Sequence, residues 1–126
     1  RANTWLGMGK YQKAREDFNK ALDIAPENPE ALNGKAWFLA TCSRDDYRDG
    51  GAAVELATRA CDVSGMRNWS YVDTLAAALA ETGDFDKAIE HQEQAIELAP
   101  ADKKEICKDR LASYQKKQPI RTDKGQ

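Results

Sequence analysis

Two stretches of the chain follow one pattern. Residues 9–26 read GKYQKAREDFNKALDIAP and residues 83–100 read GDFDKAIEHQEQAIELAP. Glycine, an aromatic residue, Lys-Ala, a second alanine seven residues on and a closing Ala-Pro recur in both. A third copy, GGAAVELATRACDVSG over 50–65, sets Ala53, Ala57 and Ala60 at matching places. Ala14 lies 39 residues before Ala53, which lies 35 before Ala88. A repeat of this period constrains the fold more than any other feature. Each unit is one supersecondary element that cannot bury its apolar side alone, so neighbours must stack to complete a core.

The elements are helices. The repeats are rich in Ala, Leu, Glu, Lys and Gln, all good helix formers. Apolar residues such as Ile89, Ala95, Ile96 and Leu98 recur with helical spacing. Small alanines let helix axes approach, while larger neighbours fill the grooves between ridges. The chain is 41% hydrophobic and 32% charged, which suits an elongated fold with much surface. Helix ends are legible as well. Asn28-Pro29 predicts a helix over 29–42. Asp49 caps the second helix of the middle unit, and Asp84 caps a helix that ends near Leu98 and stops at Pro100. Asp102 and Glu105 have the spacing of a capping box. They open a last helix over 103–117 with Ile106, Arg110, Leu111 and Tyr114 on one side. The tail, 119–126, is polar and expected to be loosely held.

These residues resemble the tetratricopeptide repeat, a unit of two antiparallel helices closed by a proline. The resemblance covers roughly residues 1–100. It implies an all-α, right-handed α-solenoid of antiparallel helix pairs with a C-terminal capping helix. The small crossing residues would be Ala2, Ala36 and Ala76 on first helices. On second helices they would be Ala14, Ala21, Ala53, Ala60, Ala88 and Ala95. Trp5, Tyr11, Phe18, Leu32, Leu39, Leu75, Leu79 and Phe85 would pack between them, with Pro26 and Pro100 closing their units and Gly65 replacing the middle proline. The single domain, 1–118, then divides into repeat 1 over about 1–27, repeat 2 over about 28–66 with an inserted loop at 43–48, repeat 3 over about 68–101, and the cap. Arg1 falls partway into a first helix, so the chain is expected to be a piece of a longer protein, with an incomplete first repeat. The runs FLATCSRDDYRDGGAAVELATRAC and YVDTLAAALAETGDFDKAIEHQEQAIELAP are similar to runs in some bacterial members.

Little in the chain suits catalysis. SRDDYRDGG, residues 43–51, looks like the start of a calcium loop, but such loops need oxygen ligands at the third and twelfth places. Counted from Asp45, those places hold Tyr47 and Leu56. The stretch reads instead as an interhelix insertion in which Tyr47 folds back over the helix pair. His91, the one histidine, lies off the expected core stripe and faces solvent. There is no phosphate-binding glycine loop and no zinc spacing. The chain is read as no enzyme, with no cofactor or metal. Cys42, Cys61 and Cys107 are an odd, scattered set, which implies buried thiols in a reducing compartment such as the cytoplasm. A net charge of −2 gives no general affinity for nucleic acid. No apolar run approaches the roughly 18–20 residues of a membrane span. The charge is uneven, with eight Lys/Arg against four Asp/Glu over 101–126.

The resemblance also implies where a partner binds. First helices line the concave side of such arrays. Their residues free of core duty would be Asn3 and Leu6, then Glu30, Asn33, Trp37 and Thr41, then Ser70, Asp73, Ala77 and Glu81. Chaperone-binding members hold a C-terminal carboxylate with a clamp of Lys, Arg and Asn. Asn3 matches one position, but Gly34, Ser70 and Thr74 replace others, and Asp73 and Glu81 would repel an acid. A neutral or cationic peptide fits better. Trp37→Ala and Asp73→Lys are expected to weaken binding without unfolding. The function implied is a non-catalytic scaffold for an unidentified protein or peptide. The alternative is a self-association or spacer module, with copies pairing through the incomplete first repeat.

Overall fold

The computed structural model describes residues 2–42 and 45–121, with side chains from Tyr11 onward. Among the described residues six α-helices follow one another: α1 (Ala2–Ile24), α2 (Pro29–Thr41), α3 (Gly50–Ser64), α4 (Trp69–Glu81), α5 (Phe85–Leu98) and α6 (Lys104–Gln115). Short 3-10 turns at Asp45–Tyr47 and Ala101–Lys103 precede α3 and α6. There is no strand among the described residues, and no described helix is long and apolar enough to cross a membrane.

The helices pair as the repeat requires. α2 packs on α3 and α4 on α5, and α4 also packs on α2 and α3. α1 rests on α2 at one end, and α6 covers α5 at the other. The seams are made of alanine: Ala36, Ala53, Ala57, Ala60, Ala76, Ala88 and Ala95 are each 0% exposed. Leu32, Leu39, Leu75 and Leu79 fill the spaces beside them. α4 is the centre of the stack, and every residue from Val72 to Ala80 is buried. A helix apolar nearly all round belongs inside.

The caps stand where the sequence places them, apart from one. Asn28 Oδ1 accepts from the amides of Glu30 (3.0 Å) and Ala31 (3.2 Å). Asp49 Oδ1 accepts from Ala52 at 3.1 Å, and Asp84 Oδ1 from Lys87 at 3.3 Å. Each such cap is worth about 1 kcal/mol. Gly65, in the left-handed region at φ 71°, ends α3. It lets the Met66 amide reach back to Cys61 O at 2.8 Å. The Asp102–Glu105 capping box does not form. Asp102 is itself part of the 3-10 turn, and α6 begins with no side-chain cap. Lys104 Nζ instead donates to Ile96 O at 2.5 Å, tying the start of α6 to the end of α5.

Three further expectations need correction. The first unit is not a helix pair: α1 is continuous through Gly7 and Gly9. Continuing α1 pairs the backbone groups internally, at a cost of about 1 kcal/mol for each glycine. His91 is half-buried rather than facing solvent, its Nδ1 is shielded with no hydrogen-bond partner among the described residues, and burial lowers its pKa from the usual 6.5. On α6 the inward residues are Cys107 and Tyr114, while Ile106 stands 44% exposed. The three cysteines are buried and in no disulfide, as expected. Desolvation, helped by Asp62, pushes the Cys61 thiol up to about 11, which leaves it unreactive at neutral pH.

Candidate functional site

A groove of about 410 Å³ opens between α2 and α4, with Phe18 of α1 and Arg110 of α6 at its edges. Asn33, Gly34 and Trp37 line the α2 wall. Trp69, Ser70, Asp73 and Thr74 line the α4 wall. Gly34 sits where a Cβ would lie 2.7 Å from Phe18 Cε1, so the missing side chain lets α1 close this corner.

The floor is an ionic stitch across three helices. Asp73 on α4 is 3% exposed. It forms an ion pair with Arg110 of α6 and accepts from Gln92 Nε2 of α5 at 2.9 Å. Gln92 Nε2 donates also to Cys107 O at 3.0 Å. The Arg110 Cζ lies 4.6 Å from the centre of the Trp37 ring, so one guanidinium spans α4 and α2. Such a stack contributes up to about 2 kcal/mol when desolvated. Burial raises the Asp73 pKa, opposed by the Arg110 charge and the Gln92 hydrogen bond. Removing one member of a buried ion pair leaves an uncompensated charge and costs roughly 3–5 kcal/mol.

The ten residues expected on the concave surface therefore divide. Asn33, Trp37 and Ser70 meet in the groove. The Asn33 Oδ1 is buried there and makes no hydrogen bond among the described residues. Glu30 is exposed on the first turn of α2. Three expectations are overturned by burial. Asp73 serves the stitch, so Asp73→Lys would set an ammonium beside Arg110 and disrupt the fold rather than a surface. Thr41, 0% exposed, donates to Trp37 O at 2.7 Å. Ala77, 1% exposed, packs with Leu39, Ala40, Ala53 and Ala78. Asn3 and Leu6 lie on α1, but their side chains are outside the described residues. Glu81 is half-buried between two arginines, Arg48 (Nε to Oε2, 3.3 Å) and Arg121 (Nη1 to Oε1, 2.7 Å). The acids expected to repel a carboxylate thus already hold cations.

Sequence reasoning misses two contributors. Arg110 looks like one more charge on a basic helix, and only the meeting of α2, α4 and α6 brings it onto Trp37. Trp69 follows directly on the cap Asn68, and its place in the groove depends on how α4 packs against α2. The insertion lies between α2 and α3, but Tyr47 turns toward α1 and α2 rather than over the α2–α3 pair expected. The Tyr47 ring lies 5.6 Å from Tyr11 and 5.9 Å from Phe38, with Arg15 Cζ 4.8 Å above it. It clasps α1 to α2. Arg48 donates to Cys42 O at 2.6 Å and pairs with Asp45. Positions 43 and 44 lie outside the described residues.

The family model of the tetratricopeptide repeat matches residues 1–28 and 70–102, the first and third units. The middle unit, lengthened by the insertion, falls outside the match. Together with the six packed helices, the matches support a tetratricopeptide-like helical repeat. None of the curated proteins compared matches the chain.

Proposed function

We propose that the chain is a non-catalytic tetratricopeptide-repeat scaffold that takes an extended protein segment in the groove between α2 and α4. The observation that carries this reading is the groove itself. It joins two half-buried indoles, Trp37 and Trp69, to a buried amide oxygen that has no hydrogen-bond partner among the described residues, Asn33 Oδ1. Indoles supply large contact area at low entropic cost. A buried acceptor favours a ligand that brings an N–H, such as a peptide backbone. The paired state of Asp73 and Arg110 leaves the floor near neutral, which favours neutral segments over strongly acidic ones.

The test is selection of random nine-residue phage-displayed peptides on the immobilised chain, followed by calorimetric titration of synthetic copies. Trp37→Ala is expected to weaken those peptides at least tenfold while far-UV circular dichroism stays unchanged. Peptides that bind the variant equally well would sink the groove reading. A second reading, self-association through α1, draws on the 86% exposure of Ile24 at the end of that helix. Light scattering over a range of concentrations separates the two, because a mass that stays monomeric rules against it.

A further inference from the structure

Beyond the groove, α4 runs on toward Glu81. Asp73, Ala77 and Glu81 follow at intervals of four, so Glu81 lies about 12 Å farther along the helix axis and is turned about 80° from Asp73, with the buried Ala77 between them. There the wall carries an occupant from the chain itself. α6 ends with Lys117 in the left-handed region (φ 59°), and the Gln118 amide donates back to Ser113 O at 2.9 Å. This ending sends residues 119–121 back across the stack instead of releasing them. All three are half-buried, a departure from the loosely held tail that the sequence implies. Residues 122–126 lie outside the described residues. Ile120 packs against the core cluster that holds Leu75, Leu79 and Tyr114. Arg121 Nη1 stands 2.7 Å from Glu81 Oε1, a charge contact with no aligned hydrogen bond.

We infer that the Glu81 end of α4 is a subsite for an aliphatic residue followed by a basic one, filled in cis by Ile120 and Arg121, which a groove ligand of that chemistry must displace. The inference rests on the groove reading and extends it to a ligand class. An extended segment advances about 3.3 Å per residue. A peptide anchored between Trp37 and Trp69 that passes over the buried Ala77 therefore spans the roughly 12 Å to Glu81 in about four residues. It meets the tail there. The Glu81 carboxylate keeps Arg48 on its other oxygen, so it stays oriented when Arg121 leaves. A misaligned ion pair gives up less on exchange than a bidentate one. Short flexible tethers hold a tail at millimolar effective concentration, enough to mask a subsite of modest affinity.

The test compares nine-residue random peptides selected on the wild-type chain and on the Ile120→Ala/Arg121→Ala variant. Arg121→Ala alone is carried in parallel because it keeps the packing of Ile120. Synthetic copies of the selected peptides are then titrated into each chain. Peptides selected on the released chains are expected to carry an aliphatic residue followed by Arg or Lys. They should bind those chains at least tenfold tighter than the wild type. Glu81→Gln in the Arg121→Ala background should remove that gain. If groove peptides bind wild-type and released chains alike, or are indifferent to Glu81→Gln, the subsite inference is overturned; their loss on Trp37→Ala would leave the groove reading standing. If no peptide is recovered on any chain, both readings fall.

Discussion

Single buried polar atoms set several local energies. Tyr114 is fully buried, and its hydroxyl makes no hydrogen bond among the described residues. Burial pushes its pKa far up, so the group stays neutral at any working pH. An unsatisfied buried hydroxyl costs roughly 1–3 kcal/mol, while an apolar group of the same shape does not. Tyr114→Phe is therefore expected to leave stability unchanged or raise it by about 1 kcal/mol, measured by urea unfolding. His91 gives a pH signature. Burial holds its folded pKa below 6.5, partly offset by Glu90 and reinforced by Lys87. Between that lowered value and 6.5 the unfolded chain binds more protons, so His91 withdraws stability as pH falls through this window. His91→Gln lacks the term. Its melting temperature should improve relative to the wild type between pH 7.5 and pH 5, and a constant difference would refute the assignment. The burial of His91 was not legible in the sequence. Its neighbours Glu90 and Gln92 suggest a polar face, yet Gln92 is fully buried as the hub of the Asp73 stitch.

At the level of elements, local chemistry was read well where it is local. Asn28, Asp49, Asp84 and Gly65 act within a few residues of themselves: the first three start helices through their side chains, and Gly65 ends one through its left-handed backbone. The capping box at Asp102 is absent because Asp102 lies inside a 3-10 turn, tied by Lys103 N to Pro100 O at 2.9 Å. Gly34 tests how α1 docks on α2. Alanine there gains up to about 1 kcal/mol of helix propensity, but its Cβ would lie 2.7 Å from the Phe18 ring. Displacing a packed ring costs roughly 1–3 kcal/mol. The clash should win, so Gly34→Ala is expected to lower stability by about 1 kcal/mol. Adding Phe18→Leu should recover part of the loss, and additive effects in the double-mutant cycle would contradict the contact.

Across the whole molecule, stability should fall from the centre of the stack outward, because each helix is held by its neighbours. α4 packs against α2, α3 and α5, whereas α1 rests on α2. Amide hydrogen exchange is expected to be slowest along Val72–Ala80 and fastest in α1, and uniform protection would contradict this order. The sequence by itself determined the helical repeat, the alanine seams, most caps and the interhelix insertion, because each depends on spacing along the chain or on neighbours a few residues away. Only the tertiary structure decided that α1 is one helix, that Arg110 lies on Trp37, that Asp73 and Ala77 belong to the core, and that Ile120 and Arg121 return to α4. These outcomes turn on which faces meet between helices far apart in sequence, and a periodic pattern that names a helix's apolar stripe does not say which partner will cover it.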